Sequence, residues 1–475
     1  MSLLPLFITV ILASVIGLFT QVRWRSWSLL VASIFFIYWL QPGLPIRHLD
    51  FWLPTACLSL VIYSWLLTHP KESPFTRSDL VTGLVISLVM LLIGSTRYID
   101  ALCCLTPTPP PTLPLVTVAV ISIALIAFLL YLIKPGNNYW IYGFSFLILI
   151  IFIILKAEPA SKLVSMTLRS INNQSVSLAS GLDIRWLGFS YIAFRLLHTL
   201  RDRISGKLPG LPLQEYLIYV IFFPAITAGP IDRIQRFVED LHQPAKLSLE
   251  MAIQGGRRIL LGIFFKFVLA DSLAIIALND ANSMQVNSAG WLWVMLYAFA
   301  LRIFFDFSGY TDIAIGLGNL LGIRLPENFD KPYFKPNLTL FWNSWHITLA
   351  SWFRAYFFNP LTRALRSRPA NLPLPSIIFI GQLSTFLLIG LWHGITWNFA
   401  IWGAWHGVGL FVHNRWSDLA RSKGLFFESP PLVKKFVTIT GTLLTFHYVT
   451  LGWVWFVLST PEQSWRTFLK LFSIG

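Results

Sequence analysis

The sequence predicts an all-α polytopic membrane protein, and the prediction rests on scarce charge, abundant apolar residues and the way the apolar runs are broken. Of 475 residues, 55% are hydrophobic and 12% are charged, whereas an ordinary soluble domain is about 25% charged. A water-soluble chain so poor in charge could not clothe its own surface. At about 20 residues per crossing, the apolar content sets a ceiling of roughly thirteen spans, and a bundle of roughly 11–13 transmembrane or re-entrant helices is expected. The localisation that follows is the plasma or inner membrane, with multiple passes.

The elements of the first third are easy to mark. Apolar runs cover about residues 4–20, 27–40, 51–68, 80–95, 114–134 and 140–155. Polar or helix-breaking residues close them, such as His69-Pro70-Lys71-Glu72 and the proline cluster from Pro107 to Pro114. The run from Leu4 to Thr20 lacks a basic leader and a small-residue cleavage site, so it reads as a retained first span. Residues 1–160 form a scaffold of membrane helices in this reading.

The formal net charge is +15. In a soluble chain that balance would point to nucleic acid. Here the bases fall in short loops between apolar runs: Arg23, Arg25, Lys71, Arg77, Arg201, Arg203 and Lys207. Such residues fix orientation and meet anionic headgroups, so membrane lipids are expected partners and nucleic acid is not. The same bias places the N-terminus outside and the Arg201–Lys207 loop in the cytoplasm, although Lys156, Lys162 and Arg169 run against it. Cys57, Cys103 and Cys104 offer neither metal-ligand spacing nor a disulfide framework and read as small hydrophobes.

Beyond about residue 183, Gly, Pro, Asn and charge interrupt the runs. The stretch from Tyr219 to Pro230 is apolar yet carries two prolines and a glycine, which fits a re-entrant segment. Asp306, Ser308, Asp312, Asn343, His346 and His393 are polar groups in apolar settings. An ionisable side chain at the bilayer centre costs roughly 2.5–3.5 kcal/mol, so such groups are expected to face a bundle interior. Chemistry therefore belongs to the C-terminal two-thirds.

Two histidines stand out. On a helix, His346 would share its face with Trp342, Ala350 and Phe353. An imidazole there is either a core residue satisfied by a carbonyl or a base that burial keeps neutral. His393 ends an apolar run that begins near Ser376, and Gly390 and Gly394 bracket it, leaving room for a substrate or another backbone. A zinc site built on His346, His393 and His406 lacks both HxxxH spacing and a nearby carboxylate. No G-x-S-x-G elbow or phosphate-binding loop is present.

Phe305-Asp306-Phe307-Ser308-Gly309-Tyr310-Thr311-Asp312 is followed by Pro326-Glu327-Asn328-Phe329 and Pro332-Tyr333. Then come Trp342-Asn343-Ser344-Trp345-His346, Gly390-Leu391-Trp392-His393-Gly394 and Trp402-Gly403-Ala404-Trp405-His406-Gly407. In this order the segments resemble the membrane-bound O-acyltransferase (MBOAT) family, in particular the bacterial branch that includes alginate O-acetylase and the teichoic-acid D-alanyl transfer protein. The resemblance covers about residues 183–457, which leaves 458–475 as a tail. Two positions depart from the family's common pattern, which has Arg where this chain has Ser344 and Asp where it has Ala355.

The resemblance implies a helical bundle around a central tunnel and no bound cofactor or metal. It implies an acyl thioester donor, acyl-CoA or an acyl-carrier protein, on the cytoplasmic side. The acceptor is then a hydroxyl of an extracytoplasmic polysaccharide. The acyl group is taken as acetyl, with D-alanyl transfer to a cell-wall polymer as the alternative, and a separate extracytoplasmic transfer protein is an expected partner. His393 becomes the general base and His346 an orienting or oxyanion-stabilising group. Asn343, Trp392, Asp306, Ser308, Tyr310, Asn398 and His406 line or support the tunnel. For Asp306, Ser308, Tyr310 and Asp312 the other reading is helix capping or cross-linking. A different class, a polysaccharide or lipid transporter or flippase, would want paired carboxylates or bases in the spans, and residues 376–391 hold none.

Overall fold

The structure is a computed structural model describing residues 3–19, 22–70, 74–100, 105–133, 138–243, 247–367, 372–424 and 430–474. Cys103, Cys104 and Lys71 lie outside the described residues, as does the side chain of Arg23. Among the described residues there is no strand, only an isolated bridge between Phe329 and Trp345. Among the described residues, seven helices are long and apolar enough to cross a membrane, and two shorter apolar helices accompany them. The chain divides into two compact units. The first comprises Met1–Ile259 with Ala314–Leu325, and the second comprises Leu260–Ile313 with Pro326–Gly475.

The first unit opens with α1 (Leu3–Phe19), α2 (Val22–Trp39), α3 (Leu49–Thr68), α4 (Arg77–Ser95), α5 (Leu113–Ile133) and α6 (Tyr139–Lys156). Each expected apolar run becomes a helix. The second begins earlier than its apolar stretch because the helix takes in Arg25, which is buried rather than a surface base. Its guanidinium donates to the carbonyls of Leu321 at 2.8 Å and Gly322 at 2.9 Å, and bonding of that kind makes a buried charge tolerable. A reciprocal cap starts α4: Asp79 accepts from the Thr76 backbone, and the Thr76 hydroxyl accepts from the Asp79 N–H. The lipid-facing character of α5 is plain, since only 6% of its apolar window is buried.

There follow α7 (Glu158–Ile171), α8 (Phe189–Ile204), α9 (Leu213–Ile221), α10 (Ile234–His242) and α11 (Leu249–Ile263). The helix α9 stops before Pro224, and Tyr216 to Ile226 are buried. The interrupted backbone needs partners there, and Arg195 supplies them, donating to Val220 O at 2.9 Å and Ala225 O at 2.8 Å.

In the second unit, α11 runs through a π-helical stretch, Phe264–Ala270, into α12 (Asp271–Ala274). Next are α13 (Asp280–Gln285) and the long α14 (Ala289–Leu320), whose last residues belong to the first unit. The short α15 (Leu338–Trp342) and α16 (Ile347–Phe353) lead to α17 (Asn359–Arg366). The hairpin of α18 (Leu374–His393) and α19 (Trp397–Ser422) precedes α20 (Pro431–Val457) and α21 (Pro461–Leu471).

Candidate active site

The site lies within the second unit. His346 is not on a helical face: the chain leaves α15 at Trp342, turns, and re-enters a helix at Ile347. His346 itself has φ 45° and ψ 54° in the left-handed region, a conformation that costs a non-glycine residue roughly 1–2 kcal/mol. Asn328 holds the turn. Its carbonyl accepts from Ile347 N at 3.0 Å, and its side-chain oxygen accepts from Thr348 N at 3.2 Å and the Thr348 hydroxyl at 2.6 Å. Satisfying three donors from one buried asparagine offsets the strain, and the peptide units on either side pair, Asp330 N with Ser344 O at 3.0 Å. Trp342 and Ala350 still meet His346, but around a cavity rather than along a helix, and Phe353 is not among the lining residues.

That cavity has a volume of about 60 Å³, and its wall includes Phe307, Trp342, His346, Ile389, His393 and Trp402. It thus brings together both histidines singled out from the sequence. His346 is buried, and neither ring nitrogen has a hydrogen-bond partner on another described residue. The core-histidine reading required a carbonyl partner. His346 lies outside the candidate spans, and burial holds its pKa well below the ordinary imidazole range, so the ring is neutral.

His393 is the last residue of α18 and is half-buried. Rings surround it: Trp392 at 4.5 Å, Phe456 at 4.8 Å, Trp402 at 5.7 Å and Phe399 at 5.8 Å between centroids. The room made by its flanking glycines goes to Phe399, its backbone at Gly390 and its ring at Gly394. A Cβ on Gly390 would strike the Phe399 carbonyl oxygen, and one on Gly394 would lie 2.8 Å from the Phe399 ring. Those glycines therefore seat α19 against α18 and fix where the imidazole points.

The remaining expected residues scatter. Trp392 is buried beside both histidines, 6.2 Å from the His346 ring. Asn398 is buried, donating to Leu458 O at 2.5 Å and Ser464 Oγ at 3.0 Å, and so ties α19 to α20 and α21. Asn343 is exposed and accepts from Arg354 Nη2 at 2.6 Å on the rim of a second, wider recess of about 360 Å³. Trp342, Ala350 and Ile389 line both spaces. Asp306 does not turn into a buried interior: it is exposed and ion-paired with Lys266. Ser308 is buried and its hydroxyl has no hydrogen-bond partner among the described residues, whereas Tyr310 is half-buried; neither lines the histidine cavity.

His406 lies within α19, behind the cavity wall rather than on it. It is fully buried, with its ring centroid 4.9 Å from those of Trp342 and Trp402. Gly452 makes the space, since a Cβ there would lie 2.5 Å from His406 Nε2. Asn328, Phe307, Trp342 and Trp402 carry structural weight that residue type alone did not announce; all lie in the quoted motif segments. Among the described residues, no group of three or more His, Cys, Asp or Glu is placed to hold a metal ion.

The chain is 31% identical to the teichoic acid D-alanyltransferase of Streptococcus thermophilus over 67% of its length and 76% of that protein. It is 33% identical to the probable alginate O-acetylase of Azotobacter vinelandii over 61% of its length and 54% of that protein. It is also 33% identical to the peptidoglycan O-acetyltransferase of Helicobacter pylori over 56% and 50% of the two chains. The family model described as MBOAT, membrane-bound O-acyltransferase, matches residues 111–451. The chain is an integral, multi-pass membrane acyltransferase and belongs to the membrane-bound O-acyltransferase family.

Proposed function

We propose that the protein moves a short acyl group, acetyl in the first instance, from a cytoplasmic thioester to a hydroxyl of an extracytoplasmic envelope polysaccharide or exopolysaccharide. The observation that carries this reading is the pairing of two imidazoles on one apolar cavity with no carboxylate in its wall. His393, the more accessible of the two, takes the proton as the acceptor oxygen attacks the thioester carbonyl carbon. The carbonyl π pair moves to oxygen; its return expels the thiolate, which recovers the proton from the His393 imidazolium. A base so placed contributes about 10²–10⁴-fold in rate. Neutral His346 orients the reacting group. A cavity of about 60 Å³ suits a short acyl group, and the recess behind Trp342 and Ile389 offers space to a non-reacting part of a substrate. The donor is an acyl-CoA or acyl-carrier protein, and a separate extracytoplasmic protein completes delivery to the polymer.

A specific observation favours D-alanyl as the second reading: the longest matched stretch among the named relatives belongs to a teichoic acid D-alanyltransferase. Mass spectrometry of envelope polymers from cells with the gene, without it, and with His393→Ala tests both. Loss of an ester-linked substituent in the latter two is expected, and its mass tells acetyl from D-alanyl. An unchanged polymer in cells lacking the gene would overturn the acyl-transfer reading, and an active His393→Ala protein would overturn the base.

A further inference from the structure

Acyl transfer puts negative charge on the thioester oxygen in the tetrahedral state, and that charge needs hydrogen-bond donors in a dry site. The cavity wall offers few. His346 and His393 are imidazoles, and most of the remaining lining is aliphatic or phenyl. The exceptions are indoles. Trp342, Trp402 and Trp453 all line the cavity, all are buried, and the Nε1 of each has no hydrogen-bond partner among the described residues. A buried N–H left unpaired costs about 1–3 kcal/mol, so three of them on one small cavity call for a reason. Trp342 and Trp402 are set apart from Trp453 by the His406 ring, centred 4.9 Å from each of them and 6.3 Å from Trp453.

We propose that the indole N–H groups of Trp342 and Trp402 are the oxyanion donors of the transfer reaction, held in place from behind by His406. This rests on the acyl-transfer reading above and adds the groups that receive the developing charge. The two indoles differ from Trp405, whose Nε1 donates to Tyr448 O at 3.1 Å and is thereby spoken for. They share one support: the His406 ring meets Trp342 and Trp402 at interplanar angles of 78° and 67°, an edge-on packing that fixes the azimuth of each indole. Both His406 nitrogens also lack hydrogen-bond partners among the described residues, so its contacts are with rings. As the acceptor oxygen bonds to the carbonyl carbon, the π pair moves to the carbonyl oxygen and both N–H bonds strengthen. When the pair returns and the C–S bond breaks, they relax.

Phenylalanine removes the N–H and keeps an aromatic wall, so the tests are Trp342→Phe and Trp402→Phe, with Trp405→Phe as comparison. Each full-length variant is expressed in cells lacking the gene. Initial ester formation on envelope polymers is read by mass spectrometry per unit of protein, and the unfolding midpoint is measured on the purified variant. Each cavity variant should lose about 100-fold in rate, the worth of one oxyanion donor, with a midpoint near wild type. Trp405→Phe should show the opposite pattern, a lower midpoint with the rate per folded molecule kept. His406→Phe, which keeps a ring but changes its edge, should lower the rate less than either cavity variant. Trp342→Phe and Trp402→Phe proteins within threefold of the wild-type rate would overturn the proposal, as would rate losses that only track lost folded protein. A wild-type chain that adds no ester at all would instead refute acyl transfer itself.

Discussion

Some of the most deeply buried polar groups of the two units differ in whether they find partners. In the first unit the buried charged groups are satisfied, although Ser33 Oγ and Gln214 Nε2 have no hydrogen-bond partner among the described residues. Arg25 and Arg195 each serve several carbonyls, and Asp183 accepts from Arg169 at 2.9 Å and Ser165 at 2.6 Å. His198 there meets the Tyr219 hydroxyl at 3.0 Å and lies 3.6 Å from Asp202. In the second unit, His346, His406, Trp342 and Trp402 are just as deeply buried, yet their ring nitrogens have no hydrogen-bond partners among the described residues. A satisfied polar group specifies a fold, whereas we propose that the unsatisfied ones on the cavity wall, His346, Trp342 and Trp402, serve a substrate. The comparison teaches that burial does not separate the two roles; partners do.

The contrast breaks most visibly at the reserved groups. His393→Ala should reduce ester formation by about 10²–10⁴-fold while the unfolding midpoint stays near wild type. His346→Ala should cost activity too but retain measurable turnover, because it orients rather than takes the proton. Rate and melting measured on the same preparations decide this, and a large loss of midpoint in either variant would move that histidine into the satisfied class.

The converse experiment is Arg195→Leu. It strands the Val220 and Ala225 carbonyls, and leaving buried acceptors unpaired should destabilise the first unit by about 3 kcal/mol. Denaturant unfolding and the yield of folded protein read it. A neutral outcome would show that the broken segment after α9 does not depend on this guanidinium.

A smaller effect sharpens the place of His406. Gly452→Ala puts a methyl group 2.5 Å from Nε2, overpacking that should cost about 1–3 kcal/mol. The shift of His406 should also disturb Trp342 and Trp402, so a modest rate loss is expected beside a lower unfolding midpoint.

The smallest effect is pH-dependent. Burial by itself would raise Asp183, but hydrogen bonds from Arg169, Ser165 and the Ser180 N–H, with the Arg169 charge, outweigh it and hold the carboxyl below its ordinary value. A depressed carboxylate stabilises the fold above its unfolded pKa of about 4, and the contribution is lost as pH falls through the lower folded value. Arg169→Met should therefore flatten the acid limb of the unfolding-midpoint profile. An unchanged limb would remove Asp183 from the account.

Much was legible from residues alone. Apolar runs became α1 to α6 because hydrocarbon admits only internally bonded backbone, so length and hydropathy suffice. Motif order identified the family, and an imidazole at each of 346 and 393 was visible as a polar group in an apolar setting. Three-dimensional packing decided the rest. The periodicity placed His346 on a helix, but Asn328, 20 residues before Thr348, accepts from Ile347 and Thr348 and holds the turn. Gly390 and Gly394 announced a close approach, yet only the fold shows that Phe399 makes it. Asp306, expected among interior polar groups, is exposed with Lys266, and the packing of His406 against two indoles is seen only in the fold. Composition and periodicity report the solvent that each segment meets, which is a local property. Which donor finds an acceptor, and which is left facing a cavity, depends on residues distant in sequence and is settled only when the helices pack.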